Sequence, residues 1–196
     1  VVNGLAKRGK MRKTLLRSVG LLLAGIALVA LYVMVRVHTG NFHAVVPSEL
    51  YRSAQIEGGD LARYAERYGI RSVINLRGGN AGDVWYNAEI KTAQELKLQH
   101  FDFRMKAARE LTDAQIEELV QLMRDAPKPL LIHCNAGADR TGLASALYLM
   151  KVSGYPKRVA QRQLSLYYGH LALGVNETAA MDRTFERVSE GTVSLP

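Results

Sequence analysis

The longest uniform stretch of the chain runs from Ser18 to Val35, SVGLLLAGIALVALYVMV, 18 residues without a charge. As an α-helix it would be about 27 Å long at about 1.5 Å per residue, close to the lower limit for crossing a bilayer. Arg17 and Arg36 flank it and can carry their charged ends to the two interfaces. It is apolar on every side, whereas a helix packed on a small domain shows one apolar stripe. No small-x-small cleavage site follows near Tyr32 to Arg36, as a signal peptide would require. A retained transmembrane anchor over 18–36 is the expectation, with a basic cytoplasmic segment over 1–17 before it.

Beyond the anchor the pattern shortens. Residues 37–48 read as a linker running into a first extended segment, and the domain proper is expected over 49–196. Leu50 to Ser53 predicts a short strand. Asp60 is a candidate N-cap for a helix to Tyr68, with Gly69 as its stop. Ile70 to Leu76 predicts a strand, Asp83 to Leu98 a helix, and Gln99 to Met105 a strand by its alternation. Thr112 followed by Gln115 is a capping-box start for a helix to about Asp125. Leu130-Leu131-Ile132 is wholly apolar, as in a central strand buried on both faces. Thr141 to Val152 is apolar nearly all round and predicts a central helix. Two more helices are expected, Lys157 to about Tyr168 and Ala179 to about Ser189. Strands alternating with helices predict an α/β fold: a central, mostly parallel sheet flanked by helices, preceded by one transmembrane helix.

Charge changes the picture once it is placed along the chain. The net charge of +8 by itself suggests nucleic acid or a membrane surface. No acidic residue precedes Glu49, and seven of the 26 Lys and Arg residues lie in that stretch, leaving 19 basic against 18 acidic. The remainder is nearly neutral, so a nucleic-acid partner is not expected. Six of the seven precede the apolar span, which puts the N-terminus in the cytoplasm and the domain outside. The expected location is the inner (plasma) membrane, single-pass, with the domain on the outer, periplasmic side. The single cysteine excludes an internal disulfide, a thiolate zinc cluster and Cys-x-x-Cys redox chemistry.

That cysteine follows the buried strand, in His133-Cys134-Asn135-Ala136-Gly137-Ala138-Asp139-Arg140-Thr141-Gly142. A loop between a strand and a helix can turn successive backbone N–H groups inward as an anion nest, and the helix N-terminus adds its dipole at the same point. Gly137 permits a conformation that other residues resist. Arg140 offers a planar fork for two phosphate oxygens. The same positive field favours a thiolate at Cys134, which can attack phosphorus and form a phosphocysteine. Thr141 can donate to the sulfur as it leaves. The loop amides of Asn135, Ala136, Gly137 and Ala138, together with Thr141 and Arg77, are the candidate substrate-binding groups.

The spacing resembles the signature loop of cysteine-dependent phosphatases in its tyrosine and dual-specificity form, His-Cys-x5-Arg-Thr-Gly. Leu50-Tyr51-Arg52-Ser53-Ala54-Gln55 and Ile74-Asn75-Leu76-Arg77-Gly78 resemble segments of bacterial membrane-anchored members. The resemblance covers about residues 42–190 and implies no metal and no organic cofactor. It implies a protein tyrosine or dual-specificity phosphatase acting on phosphorylated protein. A phospholipid substrate such as phosphatidylglycerophosphate, with the membrane as partner, stays open beside it. So do a small phosphate ester and a non-catalytic phosphate-binding module.

The leaving oxygen needs a proton, usually from an Asp on a separate loop. The loop after Met105 reads Lys106-Ala107-Ala108-Arg109-Glu110-Leu111-Thr112-Asp113 and carries no Asp at the usual place. Asp139 is the first candidate, because an Asp directly before the signature Arg resembles myotubularins and some bacterial lipid or tyrosine phosphatases. Glu110, Asp113 and Asp102 remain alternatives. His133 is expected to hydrogen-bond the loop backbone and orient the sulfur. Arg52, Arg77 and Lys106 end predicted strands on the same side, as contacts for a second anion or as plain surface charges. His38, His43, His100 and His170 show no metal-ligand spacing, and Trp85-Tyr86 and Tyr167-Tyr168 read as packing.

Overall fold

The computed structural model describes residues 2–171 and 179–191, so the expected domain over 49–196 extends beyond them at 172–178 and 192–196. The chain divides into two compact units, Val1–Val35 and Arg36–Pro196. The described residues of the first belong to a helix, α1 (Val2–His38), whose Leu21, Leu22, Leu23 and Leu28 are exposed. Met11–His38 is long and apolar enough to cross a membrane.

The second unit is a five-stranded sheet in the order β1-β2-β5-β3-β4. Its strands are β1 (His43–Val46), β2 (Leu50–Ser53), β3 (Ser72–Asn75), β4 (Gln99–Asp102) and β5 (Leu130–His133). Only the β1–β2 pair is antiparallel; β2–β5, β5–β3 and β3–β4 are parallel. The central, mostly parallel sheet flanked by helices is the one read from the sequence. β1 lies inside the stretch 37–48 expected as a linker.

The apolar run at β5 sits at the centre because both of its faces need cover. Leu130 and Ile132 point to one side, where α4 (Asp113–Asp125), α5 (Asp139–Leu147) and α7 (Ala179–Ser189) supply Ile116, Leu119, Leu143, Leu147 and Phe185. Leu131 points to the other, with Tyr51 and Val73, against Leu61 and Tyr64 of α2 (Gly58–Tyr68) and Ala93 of α3 (Val84–Glu95). Alternation of side chains along a strand dictates this split, and each buried Leu, Ile or Phe contributes about 1.5–3 kcal/mol relative to exposure.

Local signals set several boundaries. Thr112 and Gln115 form the expected reciprocal capping box, and Gly69 ends α2 at φ +67°, a left-handed conformation that favours glycine. Others differ. The N-cap position of α2 is Glu57, three residues before Asp60, and its side chain makes no capping hydrogen bond. The expected central helix starts at Asp139, two residues early, and passes into a π-helical turn over Tyr148–Val152. The single helix expected over Lys157 to Tyr168 is broken into α6 (Lys157–Ala160) and 3₁₀ turns at Gln161–Gln163 and Leu166–Tyr168. This break lets the carbonyl and side-chain oxygens of Gln163 turn toward Arg52.

Candidate active site

Strand β5 delivers His133 and Cys134 to the C-terminal edge of the sheet, and the chain turns through residues 135–138 into α5. The carbonyls of this loop all point outward to fixed donors. Asn135 O accepts from the Gln55 backbone N–H at 2.9 Å. Ala136 O accepts from Asn41 Nδ2 at 3.0 Å, and Gly137 O from Arg52 Nη2 at 2.6 Å. Ala138 O accepts from the Gly142 N–H at 2.9 Å. The N–H groups of residues 135–140 find no acceptor among the described residues. With carbonyls tied outward and amides unpaired at a helix N-terminus, the loop is built to receive an anion.

Gly137 is required by shape as well as conformation. Its φ is +66°, and a Cβ there would lie 2.6 Å from the Ser53 carbonyl carbon and oxygen and the Ala54 nitrogen. The loop thus rests directly on the end of β2. Cys134 is buried at 2% exposure. Arg140 sits in the first turn of α5, its Nη1 3.4 Å from Met105 O. It lines a cavity of about 540 Å³ with Arg77, Asn80, Arg104, Lys106 and Asn135. Among the described residues, four cations and no carboxylate line this cavity.

Arg77 and Lys106 are therefore on the expected side. Arg77 also stacks on Trp85, 3.8 Å from the ring centroid. Its pKa is lowered, first by burial and then by Arg140, with Asp83, Cys134 and Glu89 acting the other way. Trp85 thus supports a pocket residue in addition to packing.

Arg52 corrects the sequence reading. It is neither a surface charge nor a substrate contact but a fully buried strut beneath the loop. One arm donates to Gly137 O and, at 3.4 Å, to Ala138 O. The other donates to Gln163 O at 3.0 Å and Gln163 Oε1 at 2.7 Å. Tyr168 covers the guanidinium face at 3.8 Å. Burial lowers its pKa to about 10, with Tyr168, Cys134 and Asp139 opposing.

His133 also departs from expectation. Its Nε2 meets Glu89 Oε1 at 3.0 Å, not the loop backbone, and its Nδ1 is buried with no partner among the described residues. The Thr141 hydroxyl is likewise buried with no partner among the described residues, so it makes no hydrogen bond to the sulfur here.

The acid candidates are dispersed. Asp139 Oδ1 meets His170 Nδ1 at 2.7 Å, and His170 Nε2 meets Asp182 Oδ2 at 2.9 Å. Burial lowers the His170 pKa, but its hydrogen bonds to the two carboxylates and their charges leave it raised. Asp102 bonds Asn75 Nδ2 at 2.9 Å and Tyr86 OH at 2.5 Å. Glu110 pairs with Arg183 at 2.6 Å, and Asp113 pairs with Arg187. Asn41, Gln55, Glu89, Gln163 and His170 were not singled out as site residues by the sequence. Among the described residues no group of three His, Cys, Asp or Glu side chains is placed to hold a metal ion.

The sequence model of the tyrosine phosphatase family matches residues 35–162. No curated protein matches the chain significantly in sequence. Solved structures do match in fold. TpbA of P. aeruginosa aligns at TM-score 0.59 and 22% identity, over 80% of this chain and 92% of its own. PTPMT1 in complex with PI(5)P aligns at 0.57 and 14%, over 77% and 98%. The core catalytic domain of the PP-IP phosphatase SIW14 from S. cerevisiae, in complex with citrate, aligns at 0.55 and 17%, over 78% and 92%.

Proposed function

The chain belongs to the tyrosine phosphatase family, and from that premise we propose how its residues hydrolyse a phosphate monoester. The phosphate sits on the amides of residues 135–140 with Arg140 across two of its oxygens. Cys134 attacks in line: the S–P bond forms as the P–O bond to the leaving group breaks. Asp139 gives that oxygen a proton, and water then hydrolyses the phosphocysteine. The supporting observation is the loop itself, with its carbonyls anchored by Gln55, Asn41, Arg52 and Gly142 and its amides unpaired around Cys134. Asp139, though hydrogen-bonded to His170, belongs to the loop itself, whereas Asp102, Glu110 and Asp113 are bonded to residues outside it.

The substrate is a phosphorylated protein, and the N-terminal apolar helix tethers the enzyme to the inner membrane with the catalytic unit outside. The four cations around the cavity favour a second reading, in which the substrate brings more negative charge than one phosphate, as a phospholipid headgroup does. The test is phosphate release by the full chain in detergent from a phosphotyrosine peptide, a phosphoserine peptide and phosphatidylglycerophosphate, beside Cys134→Ser. Fastest turnover of the phosphotyrosine peptide, lost in the variant, is expected. Preference for phosphatidylglycerophosphate overturns the protein reading in favour of the lipid.

A further inference from the structure

Glu89 lies in α3, outside the signature loop, and is fully buried. Its two oxygens meet three side chains. Oε1 takes His100 Nε2 at 2.7 Å and His133 Nε2 at 3.0 Å. Oε2 takes Gln55 Nε2 at 3.0 Å. Gln55 Oε1 in turn accepts from Arg77 Nη1 at 2.8 Å, and Arg77 lines the catalytic cavity. The Gln55 backbone N–H holds Asn135 O, the first carbonyl after the nucleophile.

This chain of bonds has a direction. A carboxylate only accepts and a guanidinium only donates. The amide between them satisfies both in one orientation, with its NH2 toward Glu89 and its oxygen toward Arg77. The flipped amide would set its NH2 against the guanidinium. The charge of Glu89 therefore fixes the acceptor that Arg77 needs. Burial acts to raise the Glu89 pKa, but the hydrogen bonds and charges of His100 and His133 outweigh it and bring it down to about 2. Glu89 is thus a carboxylate across the physiological range.

We propose that Glu89 is a positioning residue for phosphate binding: through Gln55 it aims Arg77 into the cavity, and through His133 it steadies the residue before Cys134. The proposal rests on the reading of residues 134–140 as the phosphate site. It is tested with the full chain in detergent, measuring para-nitrophenyl phosphate hydrolysis with inorganic phosphate as competitive inhibitor. Glu89→Gln, Gln55→Ala and Arg77→Ala are each expected to raise the inhibition constant and KM by about tenfold, the scale of one lost hydrogen bond to a charged group, with kcat changing less. Gln55→Ala combined with Arg77→Ala is expected to bind phosphate no more weakly than Arg77→Ala alone, because the amide side chain acts on the site through that arginine and coupled residues are not additive. Additive losses, or an unchanged inhibition constant in Gln55→Ala, would overturn the proposal. A purely structural role would lower thermal stability without coupling to Arg77. If Glu89→Gln fails to fold, Gln55→Ala carries the test alone, since it leaves both histidine bonds of Glu89 in place. A wild-type protein that neither hydrolyses the ester nor binds phosphate overturns the underlying site and the proposal with it.

Discussion

Replacing Arg52 separates two effects that usually travel together, the burial of a charge and the loss of its hydrogen bonds. The guanidinium is fully buried and spans two clusters of acceptors, the loop carbonyls on one arm and Gln163 on the other. Its pKa falls from 12.5 to about 10, so keeping it charged in the fold costs about 3 kcal/mol at 1.36 kcal/mol per unit. Lysine retains that cost. Its single nitrogen can serve only one arm, so one to three acceptors lose their donor at about 1–3 kcal/mol each. It also loses the planar stack on Tyr168. Methionine removes the buried charge while orphaning both arms, so its two terms largely offset. Arg52→Lys should therefore cost about 2–5 kcal/mol and Arg52→Met less, which is large against a total stability of about 5–15 kcal/mol. Arg52→Met should also lose kcat/KM, because the Gly137 carbonyl loses its 2.6 Å donor. Urea unfolding with the slope held constant reads the stabilities. Arg52→Lys within about 0.5 kcal/mol of wild type, the scale of an ordinary surface substitution, would refute the reasoning.

Further outcomes follow from the same geometry. Gly137→Ala should abolish turnover while the sheet still forms, since its Cβ meets the β2 backbone at 2.6 Å at a positive φ; activity near wild type in a steady-state assay would contradict the close packing of loop on strand. Asp139→Asn should slow esters with poor leaving groups far more than those with good ones, and equal slowing of both would remove it as the acid. His170 has a raised pKa in the fold, so its contribution to stability is complete below the unfolded value of 6.5 and is lost as pH rises through the higher folded value. Melting temperature should accordingly fall with rising pH in that window, and His170→Asn should flatten the fall; an unchanged slope in the variant would contradict the Asp139–His170–Asp182 bridge.

What could be read from the sequence was local. The wholly apolar Leu130-Leu131-Ile132 marks the central strand because only a doubly covered strand tolerates that pattern. The capping box at Thr112 and the stop at Gly69 depend on neighbours within a turn. The Cys-to-Arg spacing carries the phosphate loop for the same reason. The supports of that loop are remote. Asn41 holds the carbonyls of Ala136 and, at 2.9 Å, of Tyr168, and no local pattern distinguishes it from a polar residue at a turn. Arg52 ends a strand on the site's side, as expected, but whether it faces solvent or the underside of the loop depends on where Gln163 falls. The break between Ala160 and Tyr168 that places Gln163 has tertiary causes, so propensity alone extends the helix. Glu89 did leave a trace. It shares a face of α3 with buried Ala93 four residues on, and a carboxylate on the buried face of a helix signals a bonded one.

The central claim is that Cys134 is phosphorylated during turnover. The direct measurement is rapid acid quenching of the full-length protein with a phosphotyrosine peptide in excess, followed by mass spectrometry of the Cys134 fragment. The account predicts a transient gain of one phosphoryl group on that cysteine in the wild type. It predicts neither the gain nor phosphate release in Cys134→Ser. Phosphate release that persists in Cys134→Ser, or a wild-type enzyme that turns over with its phosphoryl group trapped on another residue, would contradict it.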